Sequence, residues 1–228
     1  MIRDNVLRVK ERIALSCSKI NRNPDEITIV AVSKGRGPEQ IREAVEAGIT
    51  DIGENRVQEA VLKYNAIGSI ISDKRINWHL AGHLQTNKAK AALNLFDLIQ
   101  SVDSIHLAEE INKQADRINK IQDILVEIKT SPEETKFGVR YDEAIEVITG
   151  ISGFKNIRIK GLMTVAPLAD NPQNLRPYFK MLKELKDKIN QLTNYHLTIL
   201  SMGMTDDFEI AIEEGANMVR LGRAIFEG

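Results

Sequence analysis

Lys34 is the first residue in the chain whose position suggests chemistry. It follows Ile27 to Ser33 (ITIVAVS), a β-branched and almost continuously apolar run, so its stem begins where a buried strand ends. A lysine amine that loses its water or gains a neighbouring cation falls in pKa and can attack an aldehyde to form a Schiff base. Taken alone, a strand-end lysine more often bends outward to solvent or pairs with a neighbour such as Glu54. Near the other end, Ser201-Met202-Gly203-Met204-Thr205 sets glycine, hydroxyls and amides ahead of Asp206 and Asp207. Such a turn can surround a phosphate, although helix caps use the same residues and two carboxylates suit a helix N-terminus without any ligand. Gly222 closes the following apolar run. A strand-end lysine together with two late glycine turns points to a ligand carrying both an aldehyde and a phosphate.

These residues need elements to position them, and the apolar periodicity supplies a regular alternation. Val6, Val9, Ile13, Cys17 and Ile20 recur at three- and four-residue spacing, which predicts an amphipathic leading helix ending near Asn23-Pro24. Strands are then expected over 27–33, 50–53, 76–81, 98–101, 124–128, 158–162, 197–200 and 218–221. Helices are expected between them over 38–47, 56–66, 85–93, 105–120, 142–149, 174–192 and 208–214. Parallel strands need crossover helices, and eight such units can close on themselves and remove both sheet edges. The expectation is one α/β domain over residues 1–228, a leading helix over 1–24 and a (β/α)8 barrel over 25–228. An open doubly wound sheet is the alternative. In a barrel the chemistry collects at strand C-terminal ends, which is where Lys34, Glu54-Asn55, Gln100-Ser101, Met163-Thr164, Ser201 to Thr205 and Arg220 to Gly222 all fall.

Six runs carry a resemblance: AVSK (31–34), GENRVQEA (53–60), WHLAGHLQTNK (78–88), GLMTVAP (161–167), LSMGMTDDFEIAI (200–212) and VRLGRAIFEG (219–228). They resemble the YggS/PROSC-type pyridoxal 5'-phosphate (PLP) homeostasis proteins, a family related to the barrel domain of alanine racemase. The resemblance extends from about Ile27 to the C-terminus and occupies the strand ends in order. It implies a TIM barrel of the alanine racemase N-terminal domain type (fold type III), with an extra N-terminal helix, holding PLP as a Schiff base on Lys34. It further implies ring contact from Asn55, phosphate contacts from Ser201 and from Gly203, Met204 and Thr205, and Arg220 facing the pyridine nitrogen. Amides of Gly222 and Arg223 complete the implied phosphate cradle. The function it implies is intracellular PLP (vitamin B6) homeostasis: capturing free PLP, limiting its stray reactions, and delivering it to apo PLP-dependent enzymes. The stretch SPEETKFG (131–138) keeps Lys136 and Gly138 of the family pattern, but Lys129 stands where relatives often carry Asn.

PLP stabilises carbanions best when its pyridine nitrogen is protonated, which a carboxylate partner favours. A guanidinium such as Arg220 would do the opposite. The related racemases add a tyrosine base from another domain, whereas Tyr64, Tyr141, Tyr178 and Tyr195 fall here in helices or at helix-to-strand junctions. The expectation is storage and exchange of PLP with little amino-acid turnover and no catalytic residue. An amino-acid racemase, a Schiff-base aldolase or a scaffold with a vestigial site remain as alternatives.

Composition narrows the partners. Lys and Arg total 31 against 32 for Asp and Glu, so no global field draws nucleic acid or anionic membrane. The charged N-terminal run MIRDNVLRVKER leaves no apolar stretch for a signal or a span, and one cysteine, Cys17, builds no internal disulfide framework. A cytoplasmic monomer is expected. His79 and His83 flank Gly82 in strand context, which spoils helical metal-ligand spacing; they read as hydrogen-bonded imidazoles, and no metal is expected.

Overall fold

The leading segment is helical because Ile2, Val6, Val9, Ile13 and Cys17 form one buried stripe while the charged residues face outward. The computed structural model of the chain describes residues 1–68, 76–131, 133 and 137–227. In order, the elements are α1 (Ile2–Ser18), β1 (Thr28–Val32), α2 (Pro38–Glu46), β2 (Asp51–Glu54), α3 (Val57–Gly68) and β3 (Asn77–Leu80). They continue with α4 (Ala89–Leu93), β4 (Leu98–Val102), α5 (Ile105–Asp116), β5 (Gln122–Lys129), β6 (Val139–Arg140) and α6 (Ala144–Ile151). The last are β7 (Ile157–Met163), α7 (Arg176–Leu192), β8 (Ile199–Ser201), α8 (Phe208–Glu213), β9 (Met218–Leu221) and α9 (Arg223–Phe226).

Eight parallel strands close in the ring β1-β2-β3-β4-β5-β7-β8-β9, because β1 pairs with both β2 and β9 and β4 pairs with β5. The open sheet is thereby excluded. The two-residue β6 lies outside the ring, paired beside the end of β5. Helices cover the outside: α7 buries Phe179, Leu182, Leu185 and Ile189 while Lys180, Lys183 and Lys188 stay exposed. Helix α1 packs on α2, α8 and α9, across the seam where first and last strands meet. It is tied there by Asn5 Nδ2 donating to the Ile225 carbonyl (3.0 Å), by the Arg12–Glu209 and Lys19–Glu213 ion pairs, and by the Arg12 guanidinium 4.5 Å from the Phe208 ring centre.

Three expected helices come out shorter by several residues: the leading one stops at Ser18 instead of near Asn23-Pro24, leaving Ile20 exposed, as the chain turns at Asn21 with φ +52°. Residues 86–88 form a 3-10 turn before α4, where Thr86 and Asn87 offer side chains that compete with helical backbone bonds. Helix α5 stops at Asp116 because Asn119 adopts φ +50° and Lys120 folds back to give its ammonium to the carbonyls of Leu93 (2.6 Å) and Phe96 (2.9 Å). Both β6 and α9 were unforeseen; two- and four-residue elements carry no periodic signal.

Gly161 lets β7 press against β8, since a Cβ there would lie 2.0 Å from the Ile199 carbonyl oxygen. Gly161→Ala should therefore cost about 2 kcal/mol or more, the scale of overpacking against backbone. A denaturant melt checks this, and an unchanged midpoint would contradict the close approach.

Candidate functional site

Alternation along the strands sorts the barrel interior into layers. Val30, Leu98, Leu125, Met163 and Met218 form an apolar plug inside the ring. Two residues further along their strands come Gln100 on β4, Glu127 on β5 and Arg220 on β9, so polar groups fill the next layer towards the C-terminal ends, with Ser201 from β8. All four are at least nine-tenths buried, and three of them are joined in one chain of hydrogen bonds.

The sense of that chain follows from chemistry. Arg220 has only donors; its Nη1 donates to Ser201 Oγ (2.7 Å) and its Nη2 to the Thr164 carbonyl (2.8 Å). Ser201 must then give its own proton to Gln100 Oε1 (2.6 Å), which turns the Gln100 amide nitrogen towards His79 Nδ1 (2.9 Å). With Nδ1 accepting, His79 carries its proton on Nε2 and donates to Asp51 Oδ1 (2.8 Å). Asp51 also accepts from Thr50 (2.6 Å) and Asn77 (3.3 Å). Burial pushes its carboxyl up, but these bonds outweigh that and hold it below the ordinary carboxylate range. Thr164 completes the other end: its hydroxyl donates to the Ile128 carbonyl (2.8 Å) and so accepts from Thr130 (2.9 Å).

Burial pulls Arg220 down to about 10, with Glu127 and Asp207 opposing the fall, so the guanidinium stays charged at neutral pH. Burial pushes Asp207 up, offset by the Met204 amide and by Arg220.

The glycine turn after β8 has the backbone that only glycine adopts easily. Gly203 sits at φ +94°, and a Cβ there would meet Ala211 Cβ at 2.6 Å and Phe208 Cα at 2.9 Å. The turn's groups are unequally available. Ser201 Oγ is committed to Arg220 and Gln100, and the Met204 amide donates to Asp207 Oδ1 (2.5 Å). Thr205 Oγ1 accepts from the Ala224 amide (3.2 Å), which leaves its hydroxyl proton to donate. Gly222 and Arg223 open the short α9, and the Arg223 side chain is held by Asp206.

Lys34 and Asn55 line a groove of about 1040 Å³ with Arg56, Leu62, His83 and Lys88, on the β2 and β3 side of the mouth. His83 pairs with Asp103 (3.2 Å) and stacks on Phe137, ring centres 3.8 Å apart. Of the two imidazoles, only His79 is the buried, hydrogen-bonded one. Among the described residues no group of His, Cys, Asp and Glu is arranged to hold a metal. None of the described helices is long and apolar enough to cross a membrane. Lys136 lies outside the described residues.

Lys34 itself is exposed at the mouth, not sunk in it, and Glu54 is not its partner. Glu54 belongs to Lys63, a buried lysine that nothing in the apolar pattern of α3 announced. Lys63 Nζ donates to Glu54 (2.5 Å), to Glu59 (2.7 Å) and to the Ser33 carbonyl (2.6 Å). Ser33 Oγ donates to Glu54 (2.5 Å), and the Gly35 amide donates to Glu59 (2.8 Å). The peptide on each side of Lys34 is thus clamped while its side chain is left to the groove. Removing Lys63 would strand two carboxylates and a carbonyl. Lys63→Met should cost about 3 kcal/mol in a denaturant melt, and adding Glu54→Gln should restore roughly half of it; equal stability of all three proteins would refute the clamp.

Comparisons with known proteins bear on the family and the fold. The family model for the alanine racemase N-terminal domain matches residues 6–228. The pyridoxal phosphate homeostasis protein of Aquifex aeolicus is 42% identical over 223 residues, covering 98% of this chain and 96% of that protein. A crystal structure of an unknown protein from Bifidobacterium adolescentis superposes with TM-score 0.93 at 35% identity, covering 99% and 94% of the two chains. PipY of Synechococcus elongatus PCC7942, solved with PLP bound, superposes with TM-score 0.84 at 33% identity, covering 96% and 99%. A match over nearly the whole length, on a barrel closed in the same way, has one meaning: the chain belongs to the alanine racemase N-terminal domain family, among its pyridoxal phosphate homeostasis proteins.

Proposed function

We propose that this protein binds PLP as a Schiff base on Lys34 and serves its storage and delivery in the cell. The observation that carries the reading is the coincidence, on three adjacent strands, of an accessible Lys34 after β1, the Gly203 turn after β8, and a fixed cationic Arg220 on β9. The likeness to PipY with PLP bound supports it. The residues present fit such a ligand: a turn that needs glycine, a hydroxyl with a proton to give, and a buried guanidinium with unused donors. Bound PLP would supply an aldehyde carbon able to condense with a primary amine.

The chain's own groups do the rest. Lys34, clamped on both sides but free at its side chain, provides the amine. Thr205, with the amides of Thr205, Gly222 and Arg223, takes the phosphate; Ser201 acts through Arg220, since its hydroxyl is already engaged. Asn55, just past the end of β2, lines the groove beside Lys34 and would contact the ring. Arg220, cationic and held by two bonds, would disfavour protonation of a pyridine nitrogen beside it and so weaken carbanion chemistry there, a feature the related racemases tolerate. The exposed position of Lys34 suits exchange with apo PLP-dependent enzymes as recipients. We place this work in the cytoplasm, by a monomer.

Incubation with PLP followed by borohydride and peptide mapping tests the assignment. The expected result is a pyridoxyl group on Lys34, absent in Lys34→Ala, together with negligible steady-state racemisation of amino acids. Labelling only at other lysines would sink the assignment, and robust Lys34-dependent turnover would overturn the carrier role.

A further inference from the structure

Glu127 is the one member of the polar layer that the hydrogen-bond chain does not use. It lies on β5 two residues beyond Leu125, which packs in the interior plug, so it points into the barrel, with only 8% of its surface exposed. Among the described residues its carboxyl has no hydrogen-bond or ion-pair partner, a costly arrangement if it had only a structural role. The charges that act on it are Arg220 from β9 and Asp103 beyond β4; Asp207 acts on Arg220, and Lys129 lies two residues on along the same strand. Asp103 is in contact with His83 Nδ1 (3.2 Å). Arg220, for its part, has its head bonded to Ser201 and Thr164 instead of Glu127. Carboxyl and guanidinium therefore share the polar layer near the strand ends and sense each other's charge without forming an ion pair.

We propose that Glu127 is a ligand-contacting residue whose proton sets how tightly the site holds an anionic phosphate ester: protonated, it admits the ligand, and ionised, it repels the ligand and competes for Arg220. The inference rests on the PLP reading above. Burial pushes the Glu127 carboxyl up to about 7, with Arg220 pulling it back and Asp103 pushing it further, so both forms are present near neutrality. The sign is then fixed. If only the protonated form binds, affinity is full below that pH and falls as pH rises through it, by about tenfold between pH 6 and pH 8. Binding in turn draws a proton onto the protein.

Absorbance titrations with PLP on the full chain at pH 6 and pH 8, for the wild type and Glu127→Gln, provide the test. Ionisation of the PLP phosphate and of Lys34 is common to both proteins and cancels in the comparison. The ratio of Kd at pH 8 to Kd at pH 6 should be about tenfold larger in the wild type than in the variant. Equal ratios would overturn the role of Glu127 while leaving PLP binding intact; no binding by either protein at either pH would overturn both. An infrared difference spectrum of the wild type at pH 7.5 needs no variant. PLP should add protonated-carboxyl absorption, and its absence would count against Glu127.

Discussion

Arg220 carries a permanent charge into the middle of a closed barrel, where taking an ion out of water costs several kcal/mol unless bonds replace the lost hydration. Much of the interior follows from that requirement. Ser201 and the Thr164 carbonyl take two of its protons, Gln100 takes the proton of Ser201, and His79 and Asp51 follow in turn. Five strands of the ring contribute to that single arrangement. The apolar plug beneath it keeps it dry, and the glycine turn above can approach because Gly203 has no side chain. A lysine in place of Arg220 would lack the planar fork that reaches Ser201 and Thr164 together.

The site has a second tier of construction around Lys34. A flexible side chain at a strand end is useful only if the backbone that carries it does not wander. Lys63 and Glu59, one helical turn apart on α3, grip the peptides before and after it, and Glu54 ties Lys63 to the Ser33 hydroxyl. The clamp uses charges, of which Lys63 and Glu54 are buried while Glu59, at the wall of the groove, is occupied by Lys63 and the Gly35 amide. Rigid backbone and mobile amine are thereby separated within three residues.

Much of this was legible in the sequence. Eight apolar runs separated by helical stripes gave the barrel, because strand and helix periods differ, and the strand ends named Lys34, Asn55, Gly203, Arg220 and Gly222 by position. What stayed hidden depended on partners distant in sequence. Ser201 reads from the sequence as an uncommitted hydroxyl, and its bond to Gln100, 101 residues away, is visible only in the fold. Lys63 reads as one more solvated helix lysine until Ser33, 30 residues away, is found beneath it. Glu127 was the exception that could have been found: a carboxylate within the run Ile124 to Ile128 breaks an otherwise apolar inward row.

The row from Arg220 to Asp51 donates in one direction at every link. Neighbouring dipoles aligned head to tail polarise one another, and the Gln100 amide is the link whose two ends differ in kind. Turning that amide over would present nitrogen to Ser201 and oxygen to His79, so the hydroxyl would have to reverse and the imidazole would have to move its proton. The row therefore has two internally consistent orientations and no stable mixture of them. With a cation fixed at one end and a carboxylate at the other, only one is compatible with its termini, and the barrel floor at Asp51 is electrically aligned with the mouth at Arg220.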